Sequence, residues 1–202
     1  MKILLVADEE SSYLWDHYKP GMLRDYDMIL SAGDLKANYL SFLVTMANKP
    51  LLYVHGNHDG SYASRPPEGC ESVEDRIVTV NGLRILGLGG SVCYNHGPHQ
   101  YTEREMEKRI RRLRFKLRRA GGVDIVLSHA PVYGHGDQDD PVHRGFEAFL
   151  PFIEKYKPRY WIHGHVHKRY GSKFQRCTRI GDTILINASG RYVLDTEKEP
   201  EI

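Results

Sequence analysis

The residues of this chain best suited to chemistry are polar side chains that follow short apolar runs. Asn57 and His58 come just after residues 51–54, a run of Leu, Tyr and Val that is typical of a buried strand. Asn offers a neutral oxygen and His an imidazole nitrogen, and both can bind a borderline or hard divalent cation. One such pair means little by itself. Four other apolar runs, however, end in residues of the same kind.

These four runs end in carboxylates and imidazoles. The groups are Asp8 and Glu10 after residues 2–7, Asp34 after 27–31, His129 after 123–128, and His165 and His167 after 159–162. On an extended segment, residues two apart project to the same side, so Asp8 should pair with Glu10 and His165 with His167. Ligands of open α/β sheets gather at the carboxyl ends of strands. The sequence therefore predicts that these groups converge on one or two metal ions if their strands are neighbours.

The elements that must position these groups alternate between strand and helix patterns, which indicates α/β layering. The predicted strands are 2–7, 27–31, 51–54, 123–128, 159–162 and 191–195, the predicted hairpins are 76–80 with 83–88 and 173–180 with 183–187, and the predicted helices are 35–47, 102–119 and 144–156. Asn81-Gly82 favours a type I′ turn in the first hairpin. Pro151 predicts a kink or a break in the third helix.

Length and composition limit the classes of protein to consider. The 202 residues show no linker, so we expect a single domain over 1–202. No apolar run approaches membrane-spanning length, and the first one is too short for the core of a signal peptide. The three scattered cysteines predict a reducing compartment, and hence a cytoplasmic location, with neither a disulfide framework nor a zinc cluster. A net charge of +2 is too small to imply a nucleic-acid partner.

The predicted helix 102–119 is unusually basic. Thr102 and Glu105 form a capping-box pattern at its start, and its buried stripe should be Met106, Ile110, Leu113 and Leu117. Its remaining positions carry Lys108, Arg109, Arg111, Arg112, Arg114, Lys116, Arg118 and Arg119. This basic set is either a solvated helix face or a surface for an anionic partner such as nucleic acid.

In these motifs the chain resembles the calcineurin-like metallophosphoesterase family. The resemblance lies in Gly33-Asp34, Gly56-Asn57-His58-Asp59, His129 and Gly164-His165-Val166-His167, which occur in the family's order. It implies a four-layer α/β/β/α sandwich in which helices flank two mixed β-sheets, and a site that holds two divalent metal ions.

The resemblance also implies roles for individual residues. Asp34 would be the carboxylate that bridges two metals. Asp8 and His167 would bind the first metal, and Asn57, His129 and His165 the second. His58 would be the general acid, or the group that steadies a phosphoryl oxygen, since an imidazole can supply a proton to a leaving oxygen near neutral pH.

One position departs from the family pattern. The family has Asp-x-His after the first strand, whereas this chain has Asp8-Glu9-Glu10. Glu10 could bind the first metal through its carboxylate, and a more anionic site should favour manganese or iron, with zinc as the alternative. In the competing interpretation, Glu10 turns away and the first metal site is weak.

Other residues are candidates for supporting roles. Asp59 should pair with a loop amide or with His58. Tyr94, Asn95, His143 and Arg144 lie in loops that could rim the site, and the guanidinium of Arg144 matches the geometry of a phosphate.

The expected function is hydrolysis of a small or medium phosphoester, with a diester as the expected substrate. The resemblance implies in-line attack by a hydroxide held between two cations about 3.5–4 Å apart. Two alternatives stay open at this stage. The basic helix could indicate a nuclease acting on DNA or RNA, and the metals could instead stabilise a binding scaffold without catalysis.

Overall fold

The computed structural model describes residues 1–167 and 174–202. Its strands are β1 Lys2–Ala7, β2 Met28–Ser31, β3 Leu51–Tyr53, β4 Glu71–Ser72, β5 Ile77–Val80, β6 Leu83–Leu88, β7 Ser91–Val92, β8 Gln100–Tyr101, β9 Ile125–Ser128, β10 Tyr160–His163, β11 Cys177–Ile180, β12 Thr183–Asn187 and β13 Gly190–Asp195. Its α-helices are α1 Ala37–Ala47, α2 Glu103–Ala120 and α3 Phe149–Tyr156, and a 3₁₀ turn covers Asp59–Ala63.

Most strands belong to two mixed sheets. The first sheet has the order β13-β1-β2-β3-β4, in which β1 to β4 are parallel and β13 is antiparallel to β1. The second has the order β11-β12-β10-β9-β6-β5, with four parallel strands at its centre and an antiparallel strand at each edge. Strands β7 and β8 form a separate parallel pair.

The two sheets pack face to face, with helices on their outer faces. Side chains such as Leu5 and Leu30 meet Ile125 and Ile162 in the core between the sheets. Helix α1 covers the outer face of the first sheet, and α2 and α3 cover the outer face of the second. The central strands read as continuous apolar runs because both of their faces are covered. The predicted four-layer α/β/β/α sandwich is confirmed.

The two predicted hairpins are present. Asn81 and Gly82 have φ angles of 51° and 83°, as a type I′ turn requires, and they join β5 to β6. Strands β11 and β12 pair across Gly181-Asp182. The predicted start of this second hairpin, Lys173, lies outside the described residues, and the strand itself begins at Cys177.

Helix α2 has its predicted capping box, whereas helix α3 starts later than predicted. The N–H of Thr102 donates to the Glu105 carboxylate and the N–H of Glu105 donates to the Thr102 hydroxyl, so α2 has its capping box. The prediction for α3 was wrong at its start, because the helix begins at Phe149 and not at Arg144. Pro151 therefore lies in the first turn, where a missing N–H breaks no helical hydrogen bond, so the expected kink does not occur.

Two further features bear on the class of protein. Cys70, Cys93 and Cys177 are all free thiols. Within the described ranges, no helix combines the length and the apolar character needed to cross a membrane.

Candidate metal centre

The carboxyl ends of five strands meet at one edge of the sandwich. Strands β1, β2 and β3 are parallel neighbours in the first sheet, and β9 and β10 are parallel neighbours in the second. Hydrogen bonds between the loops that follow these strands join the sheets at this edge. His129 Nδ1 lies 2.7 Å from the carbonyl oxygen of Ala32, and the His165 N–H donates to Asp8 Oδ1 at 2.8 Å.

Four predicted ligand residues form a compact cluster, which we call the inner half of the site: Asp34, Asn57, His129 and His165. His129 Nε2 lies 3.3 Å from Asp34 Oδ2, 3.1 Å from Asn57 Oδ1 and 3.0 Å from His165 Nδ1. The side chains of His129 and Asp34 are 0% and 8% exposed. One ligand atom each from Asp34, His129 and His165 lies within 4.8 Å of the others, a spacing that suits a metal ion.

Neighbouring groups fix which atom of each side chain faces the cluster. His129 Nδ1 and His165 Nε2 face the carbonyl oxygens of Ala32 and Val142, which can only accept, so each of these nitrogens carries a proton. The other ring nitrogen of each histidine then faces inward with a lone pair when the ring is neutral. Asn57 Nδ2 donates to the hydroxyl of Tyr94 at 3.1 Å, which leaves Oδ1 facing the same point.

The inner half thus brings four potential acceptor atoms together around one point. Burial and neighbouring charges have large, opposing effects on the pKa values of Asp34 and His129. Burial would raise the pKa of Asp34, but the charge and hydrogen bond of His129 outweigh it and hold that pKa well below its usual range. Burial would lower the pKa of His129, but the Asp34 carboxylate raises it to about 9. Burial and the nearby charge of His129 lower the pKa of His165 to about 3.

A proton on His129 is therefore the positive charge that balances this cluster when no other cation does. Carboxylate, amide oxygen and imidazole are also the ligand types that divalent transition metals accept, and a metal would displace that proton. The donor set of the inner half fits a divalent ion.

The remaining predicted ligands form what we call the outer half of the site: Asp8, Glu10 and His167. Asp8 Oδ2 is buried and has no hydrogen-bond partner among the described residues. Burial also raises the pKa of Asp8. A buried carboxylate oxygen without a partner is costly unless a cation compensates it, so this atom too fits a metal.

The other two side chains of the outer half point at different partners. Glu10 Oε1 lies 3.6 Å from Nζ of the exposed Lys36. His167 Nδ1 lies 3.4 Å from Oε1 of Glu9, the neighbour of the predicted ligand.

Backbone geometry explains this outcome. Asp8 and His165 have φ angles of 62° and 70°, so neither segment is extended. The expected extended backbone is therefore absent at both places, and with it the alternation that would put Asp8 with Glu10, and His165 with His167, on one side. Asp34 has a φ of 58° as well. Left-handed backbone at non-glycine residues costs energy and tends to occur at functional sites.

The loop after β3 is anchored to the cluster by its backbone. Asp59 Oδ2 accepts the N–H groups of Asp34 and Gly56, each at 2.8 Å, so Asp59 pairs with loop amides and not with His58. Burial, together with the charge of Asp34, raises the pKa of Asp59 to about 6. The N–H of His58 donates to Asp34 Oδ1 at 2.8 Å, while the His58 residue is exposed to solvent.

Two motif glycines permit close approach of the backbone. A Cβ at Gly56 would lie 2.0 Å from Asp34 Oδ1. A Cβ at Gly164 would lie 2.8 Å from that of Ala7 and 3.0 Å from Asp8 Oδ1. No side chain fits at Gly56, where the loops after β2 and β3 meet, and one at Gly164 would displace its neighbours at the end of β1 in the other sheet, so both motifs need glycine.

The four predicted rim residues divide into two pairs. Tyr94 contacts Asn57 as described, and the His143 ring lies 5.4 Å from that of His165 and is held by Asp140. Asn95 instead hydrogen-bonds within its own loop. Arg144 pairs with Glu147 and lies over the Tyr133 ring, so its guanidinium is engaged away from the cluster.

One network beside the site was missed by sequence reasoning. Glu74 accepts the N–H groups of His55 and Gly89 and a hydrogen bond from Arg109 Nη2 at 2.7 Å. Arg109 also donates to the Gly89 carbonyl at 2.7 Å and to Asp75 at 3.0 Å. The network ties α2 to the chain just before Gly56.

Arg109 was expected on the basic face of α2, but it is 8% exposed. The sequence held a signal for its burial, because Arg109 stands three positions after Met106 and four before Leu113, within the apolar stripe. Burial would raise the pKa of Glu74, but the neighbouring His55 and the charge of Arg109 lower it.

Comparisons with known proteins identify the family of this chain. The model of the family described as calcineurin-like phosphoesterase matches residues 8–169. An uncharacterized protein of Haemophilus influenzae is 26% identical over 226 residues, which cover 98% of this chain and 99% of that protein. A UPF0046 protein of Caenorhabditis elegans is 24% identical over 198 residues, covering 82% of this chain and 63% of that protein.

Solved structures agree on the fold. The crystal structure of TT1561 from Thermus thermophilus has a TM-score of 0.61 at 15% identity and covers 94% of this chain and 89% of that one. GAP50, the anchor in the inner membrane complex of Plasmodium, has a TM-score of 0.59 at 16% identity and covers 94% and 71%. On the family match, which covers most of its length and all of the residues of the site, the chain belongs to the calcineurin-like phosphoesterases, whose members generally hydrolyse phosphoesters with divalent metal ions.

Proposed function

We propose that this chain, acting as one domain over residues 1–202, hydrolyses phosphodiesters with two divalent metal ions. The observation that carries the proposal is the inner half, where four side chains turn lone pairs toward one point and neighbouring groups fix their orientation. Such pre-orientation supports metal binding without rearrangement of the ligands.

The residues divide the work as follows. Asp34, Asn57, His129 and His165 would hold one ion, and Asp8, His167 and the shared Asp34 would hold the other. When bound, the ions supply an activated water and neutralise the phosphoryl oxygens. The exposed His58 projects from a loop whose backbone is fixed to Asp34, and its imidazole would donate the proton that the leaving oxygen requires.

We further propose that the two ions are held unequally. The pairing of Glu10 with Lys36 supports the interpretation in which Glu10 is not a ligand. The outer half would then offer fewer ligands and need His167 to leave Glu9, so its ion should bind more weakly. The argument for manganese or iron rested on Glu10 as an anionic ligand, so Mn²⁺, Fe²⁺ and Zn²⁺ should all be tested.

The charge around the site favours diesters over monoesters. Among the described residues, no Arg or Lys side chain contacts Asp34, Asn57, His129 or His165. A monoester dianion needs more neutralisation than a diester, which carries a single charge. Since no described Arg or Lys adds positive charge beside the inner half, we expect the diester to be the better substrate.

The test is a comparison of bis-p-nitrophenyl phosphate with p-nitrophenyl phosphate for the wild-type protein and His58→Ala, with Mn²⁺, Fe²⁺ or Zn²⁺ added. We expect metal-dependent turnover with a higher kcat/KM for the diester, and loss of turnover in the variant. Bound metal without turnover of either ester would contradict the proposal and support the scaffold alternative.

A further inference from the structure

Helix α2 carries an outward stripe that the proposed chemistry does not use. Met106, Leu113 and Leu117 are buried against the second sheet. The positions opposite them recur at intervals of four and three residues along the exposed side of the helix: Arg104, Lys108, Arg111, Phe115 and Arg118. At about 1.5 Å per residue, this stripe is roughly 21 Å long.

The positive charge of the chain is concentrated on this helix. Between residues 111 and 119 there are six basic residues and no acid. The whole chain has a net charge of only +2, so the remainder of it carries a net charge of −4. None of the four basic residues of the stripe forms an ion pair with any residue in 1–167 or 174–202. Their charges are available to a partner.

An aromatic ring stands inside this basic stripe. Phe115 is 73% exposed, the highest exposure of any large hydrophobic residue in the described chain. Guanidinium groups match phosphate geometry, and an exposed ring beside them offers a stacking platform for an unpaired base. A membrane surface fits less well, because a helix that lies in a membrane presents a broad apolar face and the apolar face of α2 is turned into the core.

A short segment of chain connects the stripe to the metal centre. Tyr94 contacts Asn57 in the inner half, and the backbone N–H groups of Tyr94 and Asn95 both donate to the side chain of Gln100 in β8. The helix cap, Thr102, follows directly after β8. The same short segment therefore connects the candidate site to the first turn of the basic helix.

We propose that the outward face of α2 binds single-stranded nucleic acid, with phosphates on its arginines and lysine and a base stacked on Phe115. Binding at α2 stands on these surface observations alone. The further step, that the bound strand supplies the phosphodiester for hydrolysis, rests on the proposed function.

The experiment measures fluorescence anisotropy of labelled 12-nucleotide RNA and DNA strands, and of the matching duplexes, with the metal-loaded His58→Ala protein as a background that does not cut. We expect binding of single strands that weakens as salt rises, because counterions are released. Lys108→Gln with Arg111→Gln should weaken binding at least tenfold. It should also reduce the slope of log K against log salt by about 1.4, at roughly 0.7 per phosphate contact.

Matched variants decide between this surface and general charge. Lys19→Gln with Arg24→Gln removes two exposed charges elsewhere and should leave binding within about twofold of the parent. Phe115→Ala should cost about fivefold or more, and Phe115→Tyr should restore most of it. All of these variants should keep the parent's melting temperature within about 2 °C, and in the wild-type background they should keep the hydrolysis of bis-p-nitrophenyl phosphate.

Several results would overturn the inference: equal loss in the two double variants, equal affinity for duplex and single strands, or binding to phosphatidylserine vesicles but not to RNA or DNA. Binding without hydrolysis of any diester would leave α2 as a nucleic-acid surface and would count against the proposed function instead. Hydrolysis of bis-p-nitrophenyl phosphate without binding of RNA or DNA would support the proposed function and overturn the assignment of α2 as a nucleic-acid surface.

Discussion

The two halves of the candidate metal centre differ in how their ligands are held. In the inner half, a backbone carbonyl orients each imidazole and Tyr94 orients the amide of Asn57. In the outer half, Asp8 Oδ2 has no hydrogen-bond partner in the described chain, Glu10 pairs with Lys36, and His167 faces Glu9. On the proposed function, the ligands of the inner half would be oriented before a metal binds, whereas those of the outer half would have to rearrange.

The difference indicates that metal binding should cost less conformational entropy in the inner half than in the outer half. Ligands that are already oriented lose little entropy when an ion binds, because the fold has restricted them. A side chain that must break an existing contact before it binds the ion, as His167 would with Glu9, makes the net binding free energy less favourable. On the proposed function, Glu10 in the first motif would thus make a two-metal site unequal without disturbing the fold.

The largest expected effect is a loss of turnover without a loss of metal from either half. His58→Ala should lower kcat by about 10²–10⁴ while both ions stay bound, because the residue would donate a proton and not a ligand. Turnover of a diester and metal content by mass spectrometry measure the two quantities. His17→Ala is the control, since His17 is also exposed. Loss of metal from His58→Ala would mean that the division of roles is wrong.

The next effect tests what holds the inner half in place. Arg109→Met should lower the free energy of unfolding by about 3–5 kcal/mol, since it removes a buried guanidinium that donates to Glu74, Asp75 and the Gly89 carbonyl. Arg112→Met, on the exposed side of the same helix, should cost less than about 0.5 kcal/mol. Chemical denaturation of both variants measures the difference.

The pH dependence of that difference follows from the pKa of Glu74. Because the folded pKa is lowered from 4.5, the stabilisation is present above about pH 4.5 and is lost as the pH falls through the lowered folded value. The gap between the wild-type protein and Arg109→Met should therefore narrow below about pH 4. A gap that stays constant down to pH 3 would show that Glu74 is not the group involved.

A smaller effect distinguishes the halves directly. Tyr94→Phe removes the hydroxyl that orients the amide of Asn57, so metal affinity of the inner half should fall about tenfold. The outer half should keep its affinity. Tyr13→Phe, at an exposed tyrosine, provides the control for loss of a hydroxyl. Equal weakening of both ions would show that the two halves do not act separately.

The smallest effect concerns the departure from the family pattern. Glu10→Ala should change metal affinity and turnover less than about twofold, because Glu10 pairs with Lys36 at the surface. Glu10→His restores the family's residue and should strengthen the outer ion. Isothermal titration of both variants is the measurement. A large loss of affinity in Glu10→Ala would identify Glu10 as a ligand after all.

Much of the site could be predicted because it depends on where buried strands end. A continuous apolar run that stops at a carboxylate, an amide or an imidazole marks its own carboxyl end, and parallel neighbours bring those ends together. The residues of the inner half could be predicted from these strand ends, and the layered α/β arrangement from the alternation of strands and helices. The order of the residues along the chain was sufficient, and no contact between distant loops had to be known.

The remainder depended on features that leave little or no local pattern. The positive φ of Asp8 ends the alternation of side chains, so Glu9 and not Glu10 faces His167. The carbonyl of Val142 and the carboxylate of Glu74 act on residues far away in the sequence. Gly145 is a weak local sign that residues 144–148 are irregular. The partners that delay the start of helix α3 are distant in sequence, because the N–H of Gly145 donates to the Asp137 carboxylate and that of Phe146 to the Pro131 carbonyl.

The most direct test is a calorimetric titration of Mn²⁺ into metal-stripped protein, with His129→Ala and Asp8→Asn beside the wild type. The wild-type protein should bind one ion tightly and a second more weakly. His129→Ala should lose the tight step, and Asp8→Asn should lose the weak one. Tight binding that survives His129→Ala would contradict the assignment of a preformed metal site to Asp34, Asn57, His129 and His165.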